Sequence, residues 1–202
     1  MLSAQKWDVW NESGGPKYPY EKVVQFCFRN YPSSEQRKET KVLDLGCGSG
    51  VNCLFLAKEG FQVTGTDISK VGITNTKQKL DELHLQADLR VEEADILNFA
   101  ENLFNLVICV GVYDSTGPEV AKTSIERIAY ILANKGKGIF IFASNRDFRI
   151  KEENPLELYG YSQKEVENIF LGKFSQVYFD RYITTYQSQK FEQNDWLITV
   201  EK

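Results

Sequence analysis

An α/β fold built on a mainly parallel sheet is predicted for this 202-residue chain by three observations. Apolar runs of strand length alternate with segments of helical periodicity along the chain. One run, Val42-Leu43-Asp44-Leu45, passes into glycines at alternate positions (Gly46, Gly48, Gly50) and then into a helical stretch ended by Gly60. Near the end, two strand-like segments follow one another with no helix between them, as an antiparallel hairpin closing one edge would. Alternating β and α elements imply a parallel sheet covered on both faces.

Taken in order, Tyr20, Val23, Val24, Cys27 and Tyr31 fall at helical spacing, with Pro19 placed for the first turn. Strand one is expected at 41–45 and a helix at 49–59. Strand two runs from Phe61 to Thr66 and closes at Asp67. Ser69 caps a helix reaching about Leu83. Strand three is expected near 88–92 and strand four over Leu106-Val107-Ile108-Cys109-Val110. Val120, Ala121, Ser124, Ile125, Ile128, Ala129 and Leu132 mark a helix, followed by strand five at Gly138–Ala143. A helix near 162–171 and strands near 174–182 and 194–200 complete the chain, with polar residues 187–194 as the hairpin tip.

Composition bounds the function. Hydrophobic residues are 42% and charged residues 26%, which suits one globular domain with its own core. The net charge of -4 comes with no basic cluster, so counterion release offers little affinity for nucleic acid. No apolar run approaches the ~20 residues that span a bilayer. Met1 to Trp10 lacks the basic and apolar regions of a signal peptide, so the expected location is cytoplasmic. Cys27, Cys47, Cys53 and Cys109 form no CxxC pair and His84 is the single histidine, so neither a disulfide nor a metal site is expected. His84 also lies at the end of the sheet away from the ligand crevice, since ligands sit at the carboxyl ends of parallel strands.

The glycine turn offers close backbone approach to a nucleotide-like ligand. Its spacing excludes two familiar patterns. A dinucleotide fingerprint needs Gly or Ala at the sixth position, where this chain has Val51 or Cys53, and no Lys follows as a P-loop requires. The actual pattern, Asp-x-Gly-x-Gly-x-Gly at 44–50, resembles the first motif of class I S-adenosylmethionine-dependent methyltransferases, small-molecule type. Three further segments resemble that family: Asp67 at the end of strand two, 21 positions after Gly46; Glu93-Ala94-Asp95-Ile96-Leu97 after strand three; and Phe104 to Tyr113 at strand four.

The resemblance implies a Rossmann-like three-layer sandwich with a seven-stranded sheet of order 3-2-1-4-5-7-6, strand seven antiparallel. It implies a single domain over 1–202: an N-terminal lid or helix (1–35), a cofactor-binding core (40–145) and a substrate-side loop with the closing hairpin (146–202). It places Asp44, Gly46, Cys47 through its backbone, Gly48 and Gly50 around the methionine end of S-adenosylmethionine. Asp67 with Ile68 falls at the ribose, Asp95 with Ile96 at the adenine, and Val110 at the end of strand four. S-adenosylhomocysteine would be the product.

The acceptor end is less determined. Val112-Tyr113-Asp114-Ser115-Thr116 is not the Asn/Asp-Pro-Pro-Tyr signature of methyltransferases acting on nucleic-acid bases or glutamine. Tyr113 and Asp114 are candidates for the transfer site, Asp114 as base or amine ligand rather than a turn-forming acid. Arg146, after strand five, is a candidate for an acceptor carboxylate or phosphate, against an exposed loop position. Residues 153–161 read as a loop with aromatic anchors. Trp7, Trp10, Tyr18 and Tyr20 around Gly14-Gly15-Pro16 read equally as a lid or as core, with Tyr18 against the cofactor. The expected activity is methyl transfer to O or N of a small molecule, by a monomer or homodimer. RNA or protein methylation and a non-catalytic cofactor-binding domain stand as alternatives.

Overall fold

The computed structural model describes residues 4–13, 15–150 and 157–202. In chain order the elements are α1 (Ala4–Glu12), α2 (Glu21–Asn30), α3 (Ser34–Glu39), β1 (Lys41–Leu45), α4 (Val51–Lys58), β2 (Gln62–Asp67), α5 (Lys70–Glu82), β3 (Asp88–Val91), β4 (Phe104–Val110), α6 (Tyr113–Thr116), α7 (Pro118–Ile131), β5 (Leu132–Ala143), α8 (Gln163–Phe170), β6 (Gln176–Tyr186) and β7 (Phe191–Glu201). One seven-stranded sheet has the order β3-β2-β1-β4-β5-β7-β6. The pairs from β3 to β5 are parallel, and β7 runs antiparallel to both β5 and β6. The expected fold is the observed one.

Strand alternation divides the core between the two sheet faces. Leu43, Leu45, Val107, Cys109, Phe140 and Phe142 pack on one side with residues of α7 and α8. Val42, Leu106, Ile108, Ile139 and Ile141 pack on the other with residues of α2 and α4. Both faces of β1 and β4 are therefore dry, which is why these strands read as continuous apolar runs. The parallel register brings the carboxyl ends of β1, β2 and β4 to one edge, at Leu45, Asp67 and Cys109–Val110. The site lies there.

Local chemistry sets most boundaries. Ser69 Oγ accepts from the Gly72 N–H at 2.9 Å and starts α5. Ser162 and Glu165 form a capping box at α8, and Pro118 opens α7. The helix expected from 49 begins at Val51, because Gly50 stands left-handed before it at φ 87°. Strand five begins at Leu132 rather than 138. A register shift between Phe104 and Leu106 lets β4 keep pairing, and Lys202 clamps the early part through Lys135 N–H to Lys202 C=O and Lys202 N–H to Gly136 C=O, each 3.0 Å. The hairpin tip is shorter than expected, since pairing extends to Tyr186 opposite Phe191. Helices α1, α3 and α6 were not expected from periodicity. Of the proposed acceptor loop, 153–156 lies outside the described residues, as do Gly14 and residues 1–3 of the N-terminal segment.

Candidate site at the carboxyl edge of the sheet

The glycine turn is fixed from two sides. The N–H groups of Gly46 and Cys47 donate to the Thr66 carbonyl at 2.8 and 2.9 Å, tying the turn to β2. From the other side α5 presents Gly72, Thr76 and Lys79. Thr76 Oγ1 donates to the Gly48 carbonyl and Lys79 Nζ to the Ser49 carbonyl, both at 2.9 Å. A Cβ on Gly72 would stand 2.8 Å from the Gly48 oxygen, so only glycine lets the helix come this close. The turn glycines divide in purpose. Cβ atoms at Gly46 and Gly50 would strike Val112 and Thr76, whereas Gly48 faces only Asn11, at 3.5 Å. Gly50 packs against α5 and stands behind the residues that line the cavity.

Beside the turn is a cavity of about 470 Å³. It is walled by Leu45–Ser49 from β1 and the turn, by Asp67 and Ile68, by Glu92–Asp95 after β3, and by Val110–Val112 and Asp114–Thr116 after β4. Helix α1 supplies Trp7, Trp10 and Asn11, and the chain after it supplies Pro16, Tyr18 and Tyr20. The N-terminal segment is thus a wall of the cavity. Asp8 Oδ1 accepts from Ser69 Oγ at 2.6 Å and from the Val71 N–H at 3.1 Å, placing a carboxylate at the α5 N-terminus. Those hydrogen bonds, Ser69 first, hold the Asp8 carboxyl below its ordinary value. Asn11, 2% exposed, accepts from Ser49 Oγ at 2.8 Å, and its carbonyl accepts from Asn75 at 2.8 Å. On the far side Lys6 reaches Glu157 at 3.6 Å, next to the lining residue Leu158. Tyr18 is 81% exposed at the margin of the cavity.

The acids sort by position. Asp67 Oδ2 accepts from the Gly48 N–H and Oδ1 from the Ser69 N–H, both at 2.7 Å. Burial raises its carboxyl and these two donors pull it back. An ionised carboxylate has about four acceptor sites, so two stay available to a ligand's hydroxyls. Asp95 lines the cavity, and its neighbour Ile96, 59% exposed, stands just outside it. Asp44 is fully buried behind the cavity wall and accepts from Asn52 Nδ2 and Cys53 Sγ at 3.3 and 3.2 Å. Burial pushes it up to about 6. The residue it positions is Asn52, which lines the cavity and whose buried Oδ1 accepts no hydrogen bond among the described residues.

The far end is built from α6 and the turn after β5. Tyr113 is fully buried, stacks on Phe140 with centroids 6.3 Å apart, and shares a 3.0 Å hydrogen bond with Ser124. It is packed in the core by the first turn of α6 and does not line the cavity. Arg146 is exposed and away from the cavity, whereas Arg149, three residues on in a 3-10 turn, lines it. Asp114 lines the cavity, is 5% exposed, and accepts from the Ala143 N–H at 3.3 Å through Oδ2. Burial pushes its carboxyl up to about 6; Arg149 lowers it and Asp195 raises it. Arg149 itself is engaged: it donates to both oxygens of Asp147 at 2.8 and 2.9 Å and to Asp195. Burial opposes the Asp147 charge, but the Arg149 side chain and the N–H groups of Arg149 and Asn194 hold it below its ordinary value.

The residues present fit an S-adenosylmethionine-like cation. Asp67 offers acceptors to a ribose, Asn52 Oδ1 offers an unfilled acceptor to an ammonium group, and a Cβ on Gly111 would meet nothing within 4 Å at the cavity wall. Sequence reading missed Asp8, Asn11, Asn52, Asn75, Thr76, Gly111 and Arg149. The small and polar stripe Gly72-Thr76-Lys79 on α5 was the available sign of the loop-facing side. Among the described residues no cluster of His, Cys, Asp and Glu could hold a metal ion, the four cysteines are buried and unpaired, and no helix is long and apolar enough to cross a membrane.

Residues 42–136 match a family model described as a methyltransferase domain. The ubiquinone biosynthesis O-methyltransferase of Coxiella burnetii is 28% identical over 146 residues, covering 72% of this chain and 60% of that enzyme. The Bacillus subtilis protein YqeM is 28% identical over 160 residues, covering 75% of this chain and 59% of its own length. The chain therefore spans about three fifths of the length of these relatives. Among solved structures, a SAM-dependent methyltransferase from Methanosarcina mazei superposes with a TM-score of 0.71 at 21% identity, over 92% of this chain and 98% of that one. Magnesium protoporphyrin IX methyltransferase from Synechocystis, with S-adenosylhomocysteine bound, gives 0.68 at 20% identity, over 98% and 94%. At these identities the two superpositions speak to the fold.

Proposed function

We propose that this chain is a class I S-adenosylmethionine-dependent methyltransferase that transfers a methyl group to O or N of a small-molecule acceptor. The observation that carries this reading is one continuous cavity. It runs along the carboxyl edge of the sheet from Asp95 and Asp67, past the glycine turn, to Asp114. A cofactor laid along β3, β2 and β1 would leave its methyl end facing the space beyond β4.

S-adenosylmethionine, when bound, supplies an electrophilic methyl group on a sulfonium. The protein's work is then binding, orientation and exclusion of water. Asp67 takes the ribose hydroxyls, Asp95 lies at the adenine end, and the Gly46–Gly48 backbone and Asn52 face the methionine end. Ile68 and Val110 supply apolar contact, and Tyr18 stands at the mouth. Holding donor and acceptor in line contributes on the order of 7–11 kcal/mol in systems of this kind. Asp114, raised to about 6, is placed to take a proton from the acceptor. A cavity of about 470 Å³ walled by α1 suits a small acceptor better than a polymer.

S-adenosylhomocysteine titrated into the protein under thermal denaturation tests the reading. It is expected to raise Tm in a saturable way, by about 2.7 kcal/mol of stabilisation at a hundredfold excess over Kd. A folded protein whose Tm responds to neither form of the cofactor overturns it.

A further inference from the structure

We propose that the acceptor is a protonated amine on an apolar or aromatic body, and that the methyl group goes to its nitrogen. The inference rests on the methyltransferase reading above and names the substrate class of the same site.

Three cavity-lining acceptors, Asn52 Oδ1, Glu92 Oε2 and Asp114 Oδ1, lack partners among the described residues, and they lie at different places along the cavity. Asn52 Oδ1 stands beside Asp44 on β1. Asp114 Oδ1 stands at the β5 and β7 side, its partner oxygen held by the Ala143 N–H. Asp114 follows β4 and is tied to β5, which lies two spacings from β1, about 10 Å. Asn52 serves the cofactor's methionine end and Glu92, just after β3, lies on its adenine side, which leaves Asp114 for the acceptor molecule. A buried acceptor atom without a donor is destabilising, more so for a charged group, and a bound N–H relieves that cost.

The charge balance selects the donor. Arg149 is the one Lys or Arg side chain among the described lining residues, and it is already paired with Asp147 and Asp195. With Asp114, three carboxylates surround one guanidinium. An acceptor carboxylate or phosphate would add to that excess and find no free cation. A neutral alcohol would leave the excess uncompensated. An ammonium group compensates it and donates to Asp114 Oδ1. Trp7, Trp10 and Tyr20 line the same cavity, and aromatic faces attract cations and cover apolar bodies.

The reaction balances without a further reagent. The ammonium first gives one proton to Asp114 Oδ1. The freed nitrogen lone pair then forms the N–CH3 bond while the S–CH3 bond breaks, its electron pair staying on sulfur. The product leaves as a methylated ammonium with S-adenosylhomocysteine.

The test is a panel of matched acceptors of graded length: arylalkyl and alkyl amines, each with its alcohol and its carboxylate isostere. Methyl incorporation from labelled S-adenosylmethionine gives kcat/KM for each. Amines are expected to exceed their alcohols by about tenfold or more, with carboxylates inert. Asp114→Asn is expected to lower amine turnover about a hundredfold while S-adenosylhomocysteine still raises its Tm. A panel led by alcohols or carboxylates, one with no amine turned over, or undiminished turnover in the variant overturns the proposal. If the variant does not fold, the wild-type ranking decides. Stabilisation by S-adenosylhomocysteine without amine preference sinks this inference alone; no stabilisation sinks the methyltransferase reading itself.

Discussion

The main-chain N–H of Gly48 donates to Asp67 Oδ2 at 2.7 Å, so the carboxylate at the end of β2 holds the glycine turn that it flanks. Asp67→Ala therefore removes a loop tether together with a proposed ribose ligand. The variant is expected to lose about 1–3 kcal/mol of stability and to bind S-adenosylhomocysteine about 10- to 150-fold more weakly. Denaturant unfolding and calorimetric titration measure the two effects separately. Unchanged affinity would remove Asp67 from the cofactor site.

Stability should fall with rising pH through the range of Asp114. Its folded-state value is pushed up to about 6 by burial, above the unfolded value near 3.9. The native state thus binds the proton more tightly, and the stabilising contribution is complete below about pH 4 and lost as pH rises through about 6. Asp114→Asn is neutral throughout. The variant's Tm minus the wild-type Tm is expected to increase from about pH 4.5 to about pH 7.5, by a few degrees, since about 1 kcal/mol moves Tm by about 2–4 °C at this size. Asp44, also raised to about 6 by burial, keeps its own share of the pH dependence in both proteins.

Two glycines near the cavity should respond differently to alanine. Gly46 has φ 72°, and its Cβ would come within 2.1 Å of Val112 Cγ2, so Gly46→Ala is expected to cost about 3 kcal/mol or more in thermal or denaturant unfolding. Gly111, at φ 71°, has open space around the new Cβ, so Gly111→Ala should cost only about 1 kcal/mol of backbone strain. Its larger effect is expected on S-adenosylhomocysteine affinity, because the methyl group would stand at the cavity wall.

Helix α1 should report on the cavity it walls. Trp7 and Trp10 line it, and Asn11 links the helix to Ser49. S-adenosylhomocysteine is expected to change tryptophan emission. Asn11→Ala should weaken cofactor binding by about 1–2 kcal/mol and speed proteolysis within the first twenty residues, with little change in the main unfolding transition. An emission spectrum that stays constant through saturation would show that α1 does not meet the ligand.

Tyr113→Phe is expected to lower stability by about 0.5–1.5 kcal/mol through the lost Ser124 hydrogen bond, and to leave turnover intact. A large drop in kcat with unchanged Tm would return Tyr113 to the reaction.

The sheet was legible because its strands carry their environment in their composition. Leu106-Val107-Ile108-Cys109 is apolar on both faces because both faces are covered. Asp67 was legible through its position at a strand end after the glycine turn. The acceptor end was not, because it depends on rotation within short turns. One helical step in α6 sends Tyr113 into the core and Asp114 to the cavity. A 3-10 turn at Phe148–Ile150 gives the cavity Arg149, while Arg146 before it faces solvent. Helix α1 has little apolar periodicity, since its partners are the polar groups of Ser49, Ser69 and Asn75. Ser33 and Gln36 did carry a capping box for α3, which apolar periodicity could not reveal in a helix with no buried residue.

Helix α5 touches the glycine turn through Thr76 and Lys79, and α1 through Asn75 and the Ser69–Val71 corner. Two surfaces of one cavity thus share a single mechanical support. Thermodynamic reciprocity then applies: whatever factor docking of α1 adds to ligand affinity, ligand binding adds to the docking of α1. Substitutions along α5 that never meet a ligand should move both quantities together, so this helix is the place from which residence time could be tuned without altering the chemistry.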